Sequence, residues 1–72
     1  MDREELLELL RLGPIRLTMN SGDTVDIPNS EMAVISSMSA NVLVKSAVDG
    51  KWRTHIYPLV TIRKAESLTL AN

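Results

Sequence analysis

The chain has 72 residues, eight Lys and Arg against nine Asp and Glu, a net charge of −1, one His and no Cys. At that length it forms one small domain, residues 1–72, whose folding buries only roughly 60% of the surface of the unfolded chain. No disulfide can staple it and one imidazole argues against a structural zinc, which leaves association with another chain as the expected source of extra burial. The near-neutral balance gives no global attraction for nucleic acid or an anionic membrane.

Asp2, followed three residues later by Glu5, reads as a capping-box start. Its acidic first turn suits the helix dipole, and the spacing predicts a helix over 2–12, about three turns long. Leu6, Leu7, Leu9, Leu10 and Leu12 supply the apolar stripe of a packed helix. Gly13 can end it and Pro14 cannot continue it.

From Pro14 the period changes to two. Ile15, Leu17 and Met19 share one face of a half-buried strand expected over about 14–20, with Arg16, Thr18 and Asn20 on the other. Asn20, Ser21, Gly22 and Asp23 form a turn cluster, and Val25 and Ile27 resume the alternation in a strand over about 24–28. Pro28 interrupts it, because proline cannot donate to a ladder.

Met32 to Ile35 reads either as an inward strand or as a single helical turn, since four residues do not decide a period. Ser36, Ser37, Ser39 and Asn41 read as a polar loop. A strand is expected over about 41–48. A tight hairpin turn follows, with positive φ at Asp49 and Gly50, and a returning strand covers 51–57. In it Trp52, Thr54 and Ile56 share one face, and Arg53, His55 and Tyr57 the other. Pro58 breaks the ladder before a last strand over about 60–65. The tail from Ala65 to Asn72, with Leu68 and Leu70 on one side, reads as a frayed end or as an addition to a partner's edge.

A leading helix, about five short strands, a glycine turn after the first strand and a one-turn break before the last resemble the Sm-like fold, most closely its bacterial Hfq branch. Pro14 to Ile27 matches the first hairpin, Val42 to Lys45 an aliphatic-Lys strand, and Ile56 to Ile62 the strand, short turn and strand that end the second motif. The likeness spans roughly residues 3 to 66. The chain also resembles short bacterial proteins of uncharacterised role that share an acidic helix, a strand opening on Pro and Arg, a glycine turn and a Pro/Glu segment, here Pro28 to Glu31.

The resemblance implies a mainly β domain with one N-terminal helix: a five-stranded, strongly bent antiparallel barrel of SH3-like form. It also implies a homo-oligomeric ring in which residues 51–57 and 60–64 carry the subunit contact. Trp52, Ile56, Val60 and Ile62 are the expected interface residues, with Trp52 in the core or the interface. The Lys-His pair by which the Hfq branch binds uridine-rich RNA falls near Ile56 and Tyr57, so neither residue type is retained. The Asp and Asn motif of the archaeal and eukaryotic branch is also missing after the first hairpin.

For function the residues offer two classes. One is weak, salt-sensitive binding of single-stranded RNA on a ring face through Arg53, His55, Tyr57 and Lys45, where Tyr57 stacks on a base and repetition by symmetry multiplies charge. Each also has a plain alternative: an exposed strand histidine, a strand-end tyrosine and solvated outward cations. The other class is a protein-interaction or structural module that uses the acidic helix or the apolar tail. No nucleophile or orienting acid stands at a recognisable spacing from His55, so an enzyme is not expected, and neither a cofactor nor a metal. The longest apolar run, around Ile56 to Ile62, is far short of the roughly 20 residues a membrane helix needs. The acidic N-terminus is unlike a signal peptide, and a cytoplasmic location is expected.

Overall fold

The computed structural model describes residues 1–68. Leu70, the second apolar position of the tail, lies outside them. The helix α1 (Arg3–Leu12) starts where the sequence places its cap: the Asp2 carboxylate accepts from the Glu4 N–H at 3.1 Å. Gly13 closes the other end, donating its N–H to the Leu10 carbonyl. Leu6 and Leu10 are the buried members of the leucine stripe, while Leu12, expected in the same stripe, is exposed.

Six strands follow among the described residues, one more than expected: β1 (Ile15–Met19), β2 (Thr24–Ile27), β3 (Ala33–Ile35), β4 (Ser39–Lys45), β5 (Trp52–Pro58) and β6 (Ile62–Ser67). They form two three-stranded antiparallel sheets, in the orders β2-β1-β6 and β3-β4-β5. The domain is therefore mainly β with one N-terminal helix. No ladder among the described residues joins the two sheets into a closed barrel.

The chain passes between the sheets twice, and each passage follows the same local grammar. Pro28 and Pro58 end a ladder, a single 3-10 turn follows (Ser30–Met32 and Leu59–Thr61), and a strand of the other sheet begins. In the first passage Asn29 caps the turn through its side chain, accepting from the Glu31 N–H at 2.9 Å. The stretch that reads either way in the sequence is thus both things in succession, a helical turn through Met32 and a strand from Ala33.

Several boundaries move. β4 begins at Ser39, not at 41, because only Ser36 to Met38 make the turn: the Ser36 N–H donates to the Ser39 carbonyl at 2.8 Å. It ends at Lys45, and the expected two-residue turn at Asp49 and Gly50 is instead the four-residue connection Ala47 to Gly50. Gly50 alone takes a positive φ there (+69°), while Asp49 holds the Lys51 N–H on its carboxylate at 3.0 Å. The last strand starts two residues later than expected, since Val60 lies in the 3-10 turn, and runs on to Ser67.

The core lies between the two sheets and under the helix. Leu6, Ile15, Leu17, Ile27 and Val42 are its largest fully buried side chains, joined by Leu10, Met19, Ile35, Ala40, Leu59 and Ile62. The alternation predicted for β1 is observed, with Ile15, Leu17 and Met19 buried and Arg16 and Thr18 between them partly exposed. No polar or charged residue is buried among those described.

Candidate functional site

β5 is the exception to inside-outside sorting. Six of its seven residues are exposed and Tyr57 alone is half-buried, although the strand pairs with β4 along its whole length, from Ser39↔Pro58 to Lys45↔Trp52. The ladder fixes its faces. Tyr57, His55 and Arg53 stand opposite Ala40, Val42 and Val44 and so continue the core face of β4, whereas Ile56, Thr54 and Trp52 share the outer face with Asn41, Leu43 and Lys45.

Three of the four residues expected to touch RNA are therefore brought into one row, and the fourth is not. Lys45 projects from the opposite face, across from Trp52. Within the row, the Arg53 guanidinium is held by the Asp49 carboxylate, which also accepts from the Lys51 N–H. The Lys51 N–H first, and then the side chains of Arg53 and Ser46, draw the Asp49 carboxyl below the usual range. His55 Nδ1 lies 3.1 Å from the Tyr57 hydroxyl, with the rings tilted and their centroids 6.2 Å apart. Tyr57 packs against the core, and burial pushes its phenol above the ordinary value.

The outer face carries the larger anomaly. Trp52 is 51% exposed and Ile56 67%, and beside them Leu43 on β4 and Val34 on β3 also face solvent. Val34 stands opposite Asn41, which stands opposite Ile56, so these side chains form one patch across three strands. Of the two places expected for Trp52, the core or the interface, the chain's own core is excluded, because its parity on β5 is that of the outer face. Of the other expected interface residues, Val60 is 82% exposed in the turn between β5 and β6, whereas the Ile62 side chain is buried in the chain's own core at 4%.

The backbone of β5 is equally unbalanced. In an antiparallel ladder the opposed pairs alternate between those that exchange hydrogen bonds and those whose polar groups point the other way. Beyond the end of β5 the Ser46 N–H donates to the Lys51 carbonyl at 2.8 Å, which fixes the phase. Arg53, His55 and Tyr57 bond to β4, and the N–H and C=O of Trp52, Thr54 and Ile56 point to the open edge. For β6 the Leu68 N–H on the Pro14 carbonyl, also at 2.8 Å, sets the phase in the same way. Lys64 and Glu66 bond to β1, and Ala65 directs its polar backbone outward.

Two features escaped sequence reasoning. Arg16 and Asp26 form a two-pronged pair, Nε to Oδ1 at 2.8 Å and Nη2 to Oδ2 at 3.1 Å, which raises the Arg16 pKa and holds Asp26 below the carboxylate range. Their equal separation from Ser21, in the turn between the two strands, was the available signal. The second is a groove of about 630 Å³ between the helix start and the 3-10 turn before β6, with Met1, Met38, Leu59 and Val60 among its walls.

Among the described residues no group of three or more His, Cys, Asp and Glu could hold a metal, and no helix is long and apolar enough to cross a membrane. Comparison of the chain with protein-family models, with curated proteins and with solved structures found no match.

Proposed function

We propose that this chain is a non-catalytic self-assembly module of Sm-like form, whose β5 and β6 edges pair between copies and close a homo-oligomeric ring. The observation that carries the reading is β5: a full-length strand whose outer edge pairs with no strand among the described residues, with apolar Trp52 and Ile56 in water. An open, apolar edge is a template for another chain, and closed symmetry removes it. β6 supplies a second open edge at the end of the other sheet, and only the turn at Leu59–Thr61 separates the two strands.

Binding of single-stranded RNA through Arg53, His55, Tyr57 and Lys45 has weaker support. Asp49 neutralises Arg53, and Lys45 stands on the other face. A docking role for the acidic helix as a separable element is not favoured either, because Leu6 and Leu10 belong to the core.

Sedimentation equilibrium over a wide dilution series tests the reading, with the absorbance ratio of the untreated preparation reporting any retained nucleic acid. A single closed oligomer free of nucleic acid is expected. A monomer at every concentration would overturn it. Oligo(U) or oligo(A) binding that fades with salt would instead assign the row on β5 to RNA.

A further inference from the structure

We infer that the tip of the β4–β5 hairpin is a membrane-contact site, which sets Val48 into the interfacial layer of an anionic lipid bilayer while Lys45 and Lys51 engage the lipid headgroups. Neither a ring nor the open edge of β5 is needed for this. Edge pairing does not cover the tip either, because Val48 lies beyond the last pair of the ladder, Lys45↔Trp52.

The hairpin outruns the core. On β4, Val42 is the last buried residue, and Val44 is only partly covered. From Lys45 to Ile56 every residue but Ser46 is exposed. In the connection Val48 is 96% exposed, the most exposed large hydrophobic side chain among the described residues. Trp52, at the last pair of the ladder, adds the side-chain type that favours the headgroup level of a bilayer.

The turn already bonds its own backbone. Polar backbone groups are costly next to lipid unless they are satisfied internally. Here the N–H groups of Ser46, Val48, Gly50 and Lys51 donate, in that order, to the Lys51 carbonyl, the Ser46 hydroxyl, the Ser46 carbonyl and the Asp49 carboxylate. Those four donors are therefore not offered to a phosphate, and the apex presents an apolar side chain instead.

Charge selects the surface. The chain as a whole is at −1, yet residues 45–53 hold Lys45, Lys51 and Arg53 against the single carboxylate of Asp49. Asp49 is spent on the Arg53 guanidinium and the Lys51 N–H. The ammonium groups of Lys45 and Lys51 make no ion pair among the described residues. The Lys45 stem follows the turn, its Cε 4.0 Å from where a Cβ on Gly50 would stand. An apolar apex flanked by cations matches the anionic bilayer interface, which takes up apolar side chains at headgroup depth and attracts each nearby Lys. Single-stranded RNA, the competing occupant, would use the cations and leave Val48 in water.

Flotation with vesicles of phosphatidylcholine alone, and of equal parts phosphatidylcholine and phosphatidylserine, tests the inference at low and moderate salt and fixed protein concentration. Binding to the anionic vesicles only, fading with salt, is expected. K51E should weaken it by about tenfold or more, whereas R11E, the same change of charge on α1, should leave it near that of the parent. V48D should weaken it as well. W52F/V48W moves the chain's only indole to the apex, and its emission should shift to the blue on anionic vesicles. Circular dichroism verifies that each variant is folded.

No flotation at low salt, or equal flotation with neutral vesicles, would overturn the assignment. Equal weakening by K51E and R11E would assign the attraction to the whole chain and not to the tip. Flotation that V48D leaves unchanged, with no blue shift from W52F/V48W, would overturn insertion of the apex. Oligo(U) or oligo(A) binding that K51E abolishes, without flotation, would give the tip to RNA. The mass of the protein is read separately by sedimentation, so failure here leaves the self-assembly reading standing.

Discussion

At the scale of single residues, the Arg16–Asp26 pair shows how the first hairpin is tied. The arginine donates to the carboxylate through two nitrogens, and Asp26 in consequence titrates below an ordinary aspartate. A carboxyl whose folded value lies below its unfolded value of about 4 stabilises the fold above that value, and the contribution is lost as pH falls through the folded value. Asp26→Asn should therefore flatten the acid limb of stability. The effect is small because both side chains are solvated, and it shrinks with salt. Urea midpoints for both proteins at neutral pH and at about pH 3, in low and high salt, check this. An acid limb as steep in the variant as in the parent would rule the pair out as its source.

The same scale shows where side-chain chemistry was legible in the sequence and where it was not. Alternation gave the face-sharing of Arg53, His55 and Tyr57 correctly, because a strand has period two whatever its surroundings. It did not say which face is inner, since β5 carries large side chains on both. The ladder to Ala40 and Val42 decides that, and a ladder is a property of two strands. Trp52 was left open between core and interface for that reason.

At the scale of elements, punctuation was more legible than period. Asp2, Gly13 and Pro14 bound the helix, Gly22 sits in the first turn, and Pro28 and Pro58 mark the two passages between sheets. Residues 28–36 were opaque because a one-turn helix and a three-residue strand are each too short to show a repeat. The hairpin before β5 was misjudged because an Asp-Gly pair fits several loop lengths. Here Asp49 caps the Lys51 N–H and leaves positive φ to Gly50 alone.

The backbone phase of β5 gives an element-scale prediction that separates neighbouring positions. Proline at 54 removes an N–H aimed at the open edge, so Thr54→Pro should leave a folded domain that no longer assembles. Proline at 55 removes an N–H that bonds β4, so His55→Pro should disrupt the hairpin itself, costing at least about 1–3 kcal/mol, that of an unsatisfied ladder partner. Circular dichroism with thermal melts, set beside sedimentation of each variant, checks the pair. Equal damage to the fold from both would show that the phase is misassigned.

At the scale of the whole molecule, the domain sets a small aliphatic core under one helix and leaves most of one strand, all of β5 but Tyr57, exposed. Of the expected fold, the helix and the mainly β character were legible from punctuation and alternation. The division into two sheets was not, because it depends on which strands pair at long range. The core is thin enough that a single truncation matters: Leu6→Ala, at a fully buried position where the helix meets the sheets, should cost about 2–5 kcal/mol by chemical denaturation. A loss well under about 1 kcal/mol would show that the helix is not part of the stabilising core.

The proposed assembly of the chain turns on the exposed edge of β5. Amide hydrogen exchange, resolved by residue and compared between dilute and concentrated protein, tests it most directly. Arg53, His55 and Tyr57 should be protected at both concentrations, because their amides bond to β4, while Trp52, Thr54 and Ile56 should exchange freely when dilute and become protected when concentrated. Unchanged, rapid exchange at those three amides at high concentration would contradict it.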